Sequence, residues 1–193
     1  LIAQDLHVYE AFTRLFRKDK VVLASGIGIQ RTLMLKYDAS AARYVGLGET
    51  DQVNITNVLQ SLQVPWRELT AAYGFYYQEL LVNRGKALIV NVLKPRRAGC
   101  LLAIAQKIED KFWGSAPAAD DTTNPYGLQY WIVENATTGF NGGAPSGWTT
   151  KGGINPTTYP NFKNYTAVYT TVNKTDLVKK MRTAYKKIGF VSP

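Results

Sequence analysis

Hydrophobic positions recur along this chain with two different periods, and the changes between them divide it into elements. Leu6, Tyr9, Phe12 and Phe16 repeat at helical spacing, which predicts a helix over Asp5 to Arg17. After an extended run from Val21 to Leu23, Ile27, Ile29, Arg31, Leu33 and Leu35 alternate with their neighbours, the period of a strand. Asp38 to Thr50 is small and polar, with Gly46 and Gly48, and reads as a loop tip; Val53, Ile55 and Val58 add a short extended piece. Alternation resumes at Leu62, Val64 and Trp66, and again at Tyr73, Phe75 and Tyr77, where aromatic residues at period two favour a strand. The simplest joint reading is one long hairpin, Ile27 to Tyr37 against about Leu62 to Tyr77, with a wide tip. A bare hairpin is marginal alone in water, so an extended one points to cover by another molecule.

The remaining pattern is mostly helical. Over Asn83 to Trp113, Ala98, Leu101, Leu102, Ala105, Ile108 and Phe112 form a stripe at spacings of three and four. Pro95 either kinks or divides this run, or stands in the first turn of its second half. Gly114 is placed to close the helix in a left-handed conformation. Ser115 to Asn124 reads as a loop and Tyr126 to Val133 as a strand. Thr137 to Thr158, rich in Gly, Asn, Thr and Pro, reads as a long loop. Tyr165 to Val172 suits a short strand. Leu177, Val178, Met181, Tyr185 and Ile188 give a last helix over Asp176 to Ile188, capped by Thr175 or Asn173 and closed by Gly189. The fold class expected is therefore α+β.

Composition narrows the function. With 46% hydrophobic residues, the 193-residue chain is not a disordered one, and no apolar run approaches the length that spans a bilayer. It opens on Leu1, which reads as a processed product or an excised piece. One cysteine, Cys100, in the long helix, excludes an internal disulfide, and one histidine, His7, leaves Cys–His catalysis and His/Cys metal sites without the residues they need. The formal charge of +9 suits nucleic acid, an anionic surface or an acidic partner. The basic runs Arg14 to Lys20, Lys94 to Arg97 and Lys179 to Lys187 are each too short for a nucleic-acid arm.

Chemical motifs are weak. Ser25-Gly26-Ile27-Gly28 lacks the phosphate-loop lysine and reads as a bend before a strand; the glycines from Gly142 to Gly153 read as turn chemistry. Asp120 and Asp121 supply too few oxygens for a hard cation. Asn54, Asn135, Asn164 and Asn173 each begin an Asn-x-Thr pattern that carries no weight without a secretion signal. No catalytic, cofactor-binding or metal-binding residues are assigned, and no cofactor is expected.

Longer strings are more specific. Ile108-Glu109-Asp110-Lys111-Phe112-Trp113-Gly114 is followed by Asn124-Pro125-Tyr126-Gly127-Leu128-Gln129-Tyr130-Trp131-Ile132-Val133. Then come Gly139-Phe140-Asn141-Gly142-Gly143, Gly152-Gly153-Ile154-Asn155-Pro156-Thr157-Thr158-Tyr159-Pro160 and Asp176-Leu177-Val178-Lys179-Lys180-Met181-Arg182. From about Asp5 to Pro193 this series resembles the major capsid proteins of tailed phages and prophages, those of the Hong Kong 97 type. The resemblance implies an N-terminal arm over residues 1–24, an extended hairpin (the E-loop) over 25–80, the spine helix of a peripheral domain over 81–120, and part of an axial domain over 121–193. Such proteins are normally longer, so the resemblance also implies a piece of a longer chain.

It further implies a structural, non-enzymatic virion protein that self-assembles into an icosahedral shell around packaged DNA, and that is built in the bacterial host cytoplasm. The partners implied are other copies of itself in hexamers and pentamers, together with scaffold, portal and decoration proteins. Packaged double-stranded DNA is met by non-specific contact, and no membrane is involved. Covalent crosslinking is not expected: Lys36 is the only lysine between Val21 and Gly85, and nothing locates its partner. The residues alone leave a second reading, a basic nucleic-acid-binding module using the last helix and exposed tyrosines.

Overall fold

The computed structural model describes residues 18, 22, 26–37, 42–50, 57–82 and 93–189. Two antiparallel strands, β1 (Gly28–Met34) and β2 (Leu59–Pro65), are followed by a short helix α1 (Tyr77–Val82) and a 21-residue helix α2 (Leu93–Trp113). A single helical turn α3 (Leu128–Trp131), a small pair β3 (Gly139–Gly142) and β4 (Asn164–Thr166), and helix α4 (Lys179–Ile188) complete the chain. The class is α+β, with two separate two-stranded sheets. No helix among the described residues is long and apolar enough to cross a membrane.

The hairpin forms where alternation places it, with Gly28 opposite Pro65 and Met34 opposite Leu59. Its second strand is earlier and shorter than expected. Pro65 has no N–H to extend the ladder, and after the Trp66 N–H reaches the Ile27 carbonyl the chain leaves the sheet. Tyr73 and Phe75 therefore have no facing strand and stay irregular, and Tyr77 opens α1 instead. Aromatic alternation marks a strand only where a neighbouring ladder exists.

Helix α2 is described from Leu93, with Pro95 in its first described turn. The rest of the expected helix, residues 83–92, lies outside the described residues, as does the whole helix expected over Asp5 to Arg17. Gly114 does not take the left-handed cap. Its N–H still bonds the Asp110 carbonyl at 2.9 Å, and a Cβ there would lie 2.6 Å from that same oxygen, so close approach is what requires glycine. The left-handed helix end is at Gly189, φ 66°, after α4. At the other end Asn173 accepts the Asp176 N–H through its side chain, as expected of a cap, although the first turn is π-helical over Lys174–Val178.

Tyr126 to Val133 is not a strand. Its rings build the core, and a helical turn lets them converge. Tyr130, 1% exposed, stacks on Tyr126 with centroids 4.0 Å apart, and meets Trp131 and Trp148 edge-on at 5.0 Å each. Ile154 and Pro156 are also fully buried. Gly152, φ 59°, seats its N–H on the Tyr130 hydroxyl at 2.8 Å. The small sheet is sealed by Asn164, whose side-chain oxygen accepts from the Val133 N–H while its nitrogen donates to the Val133 carbonyl, both at 3.0 Å. Of the strand expected over Tyr165 to Val172, only Tyr165 and Thr166 are in β4.

Candidate functional site

The surfaces that the core leaves uncovered are the site. Strand β2 is the inner edge of the hairpin: the Gln63 N–H donates to the Gly152 carbonyl at 2.9 Å, and a Cβ at Gly152 would meet Leu62 at 2.3 Å. Arg67 ties one end of the ladder down, donating to the carbonyls of Asn124 (3.1 Å) and Asp121 (3.3 Å) with its guanidinium 5.8 Å from the Tyr126 ring. Asn161 donates to the Leu35 carbonyl at the other end, 2.9 Å away. The ladder thus lies along the body rather than standing away from it, because polar contacts fasten it at Gln63 on β2, at Arg67 just after β2 and at Leu35 just after β1. Sequence patterning does not reveal these contacts.

The outer edge, β1, and the tip are the more exposed parts of the hairpin among the described residues. Among the described residues β1 has no second neighbouring strand, so its outward N–H and C=O groups are unpaired by sheet. Ile27 is 96% exposed beside it, and at the tip Tyr44 and Leu47 are fully exposed. Helix α2 is partly covered: Ala105 is its single fully buried residue among those described, Leu102, Ile108 and Phe112 are half-buried, and Leu101 and Trp113 face outward. Its first described turn is held by Arg96, which donates to the Gly74 carbonyl and pairs with Glu79 at 2.8 Å; the Arg96 hydrogen bond to Glu79 holds that carboxyl below its ordinary range. Between the segment after β2, the end of α2 and the Thr123–Gly127 turn runs a groove of about 430 Å³. Leu69, Ile108 and Phe112 line it, with Arg67, Lys107 and Lys111 as cations.

The weak chemical motifs resolve into structure. Asp121 accepts from the backbone and side chains of both Thr123 and Asn124, which leaves its carboxylate shaping a turn instead of facing a cation. No metal-ligating cluster of His, Cys, Asp and Glu occurs among the described residues. Gly28 sits where a Cβ would be 2.7 Å from the Val64 carbonyl, a packing constraint between strands. Three of the Asn-x-Thr patterns are local devices: Asn135 accepts from the Thr137 N–H and hydroxyl, Asn164 seals the sheet while Thr166 bonds the Thr137 carbonyl, and Asn173 caps a helix. Asn54 and His7 lie outside the described residues. Cys100 is half-buried on α2.

Lys151 is an unexpected feature. It is 3% exposed, donates to the Trp131 carbonyl at 3.1 Å, and lies 5.4 Å from the Phe162 ring centre. Burial lowers its pKa. The Trp131 carbonyl and the Phe162 ring face are the partners of the ammonium, so its place is in the fold of the Gly-rich loop.

Two aspartates make the fold acid-sensitive. Asp121 is held well below the usual carboxylate range, chiefly by the Asn124 side chain; Asp176 is held there by Lys180, 2.6 Å away, and by the Thr171 and Thr170 N–H groups. In the unfolded chain each titrates near about 3.9. Their stabilisation is therefore complete above that pH and is lost as pH falls through it toward the lower folded values. Urea midpoints measured down an acid series are expected to fall below about pH 4, and the combined Asp121→Asn and Asp176→Asn variant to lose less on acidification. Identical pH slopes for the two proteins would refute this role.

No protein-family model, curated protein or solved structure matches this chain.

Proposed function

We propose that this chain is a structural virion protein of the Hong Kong 97 capsid type, which assembles with copies of itself into the shell enclosing phage DNA in the virion. The observation that carries the reading is the hairpin: β2 is fastened to the body, while among the described residues β1 pairs with no second strand and Tyr44 and Leu47 at the tip are fully exposed. An exposed edge strand is a template for pairing with another chain. Burying Tyr44 or Leu47 against a neighbour is worth about 1.5–3 kcal/mol each.

The layout favours contact between copies. The tip leaves the ladder at Met34 and Leu59, whereas the apolar groove begins at Arg67, past the ladder's other end. Seven paired residues at about 3.3 Å each separate the two by about 20 Å or more, so a tip does not fill its own groove. A tip reaching a neighbour's groove is a head-to-tail contact, the kind that generates rings when it closes. Many such modest contacts then sum over the shell. The chemistry required is association alone, which agrees with a non-enzymatic role.

Electron microscopy and sedimentation of the protein are expected to show capsomers or shells. The Tyr44→Asp and Leu47→Asp pair is expected to abolish them without changing the circular dichroism spectrum. Monodisperse monomers from the unaltered chain across salt and concentration would overturn the proposal.

A further inference from the structure

Charge is divided unequally along the chain. After Glu134 the remaining 59 residues hold eight cations and one acid, Asp176, so that segment carries +7 of the total +9. The one acid is itself engaged by Lys180 and by the Thr170 and Thr171 N–H groups. Helix α4 gathers most of the cations. Lys179, Arg182 and Lys186 fall at i, i+3 and i+7, along one face about 10 Å long, with Lys187 beside them. All four are exposed. The helix rests against β4, so it is held on the body with this basic side outward. Exposed Lys174 and Tyr169 extend the surface towards the start of the helix.

We infer that the basic face of α4 is a contact surface for the phosphate backbone of double-stranded DNA. Lysines and arginines spaced along a rigid helix meet successive phosphates and release their counterions, without reading sequence. Cations in the last turn also complement the helix dipole, but Lys179 and Arg182 are too far from the C-terminus to serve that end. The stripe Met181, Tyr185 and Ile188 is 46–61% exposed, but the helix rests against β4, so its apolar side is not wholly free to enter a bilayer, whereas the four cations need only reach phosphates. The inference rests on the shell reading for its biological setting, since it assigns the face that meets enclosed DNA.

The test is a fluorescence titration of the intact chain with a short labelled duplex of random sequence. With about four phosphates engaged, affinity is expected to fall about 100-fold between roughly 50 and 200 mM salt. The Lys179→Ala, Arg182→Ala, Lys186→Ala and Lys187→Ala combination is expected to remove most of that dependence, while Arg31→Ala with Lys36→Ala preserves it. Circular dichroism verifies that each variant is folded. Unchanged DNA binding by the quadruple variant would overturn the inference, and so would binding to phosphatidylglycerol vesicles without binding to DNA. Assembly is read separately on the same samples by sedimentation without DNA: failure of the unaltered chain to assemble refutes the shell reading, whereas the titration alone decides the α4 surface.

Discussion

Replacing Tyr130 with alanine is expected to destabilise the fold by about 3–5 kcal/mol, the range for deleting a buried aromatic side chain. The ring is 1% exposed and is the hub of the aromatic core, stacked on Tyr126 and met edge-on by Trp131 and Trp148. Its neighbours cannot close the gap easily, because Trp148 is pinned by its own indole N–H to the Pro117 carbonyl at 2.7 Å. The hydroxyl adds a separate contribution. It accepts from the Gly152 N–H at 2.8 Å, and Gly152 is the residue whose carbonyl receives β2. Tyr130→Phe keeps the ring contacts and leaves that buried N–H unpaired, for an expected loss of about 1–3 kcal/mol. Urea denaturation of both variants separates packing from hydrogen bonding. Equal losses, or a Tyr130→Ala midpoint unchanged from the parent, would contradict this account of the core. Because the same tyrosine supports the loop on which the hairpin rests, the alanine variant is also expected to assemble poorly.

Gly127→Ala is expected to be the second large effect, at about 1–3 kcal/mol from overpacking. The backbone there is extended, at φ −82° and ψ −172°, so alanine meets no conformational strain. The obstacle is purely steric. A Cβ would stand 2.3 Å from the Lys111 carbonyl and 2.8 Å from that of Phe112. Both are backbone atoms at the end of α2, so no side chain can swing aside, and the helix and α3 must separate. That seam also forms one wall of the groove at Lys111 and Phe112. Thermal unfolding of the variant tests the point directly. A melting temperature equal to the parent's would mean that α2 and α3 are not packed as closely as described.

Helix α4 and strand β1 were legible from pattern because period and capping are local. Leu33 and Leu35 both turn half-inward, and Asn173 and Gly189 bound the last helix as their chemistry suggests. The second hairpin strand was only half legible: Leu62 and Val64 alternate truly, but the same signal in Tyr73 and Phe75 has no ladder to join. The exposed hairpin was anticipated in kind but not in layout, since the polar contacts of Gln63, Arg67 and Asn161 hold the strands along the body. The shell reading draws on the strings that resemble phage capsid proteins and on this uncovered surface.

By itself the amino-acid order determined where β1 and the last helix lie, that the chain holds one histidine and one cysteine, and that it is basic. Tertiary structure decided that Tyr126 to Val133 is a ring-bearing turn, that Gly127 and Gly152 are sites of close approach, and that β2 is the hairpin strand seated on the Gly152 loop. The physical reason is range. Periodicity and caps act over about four residues, whereas the contacts that seat the hairpin join positions as far apart as Leu35 and Asn161, 126 residues along the chain.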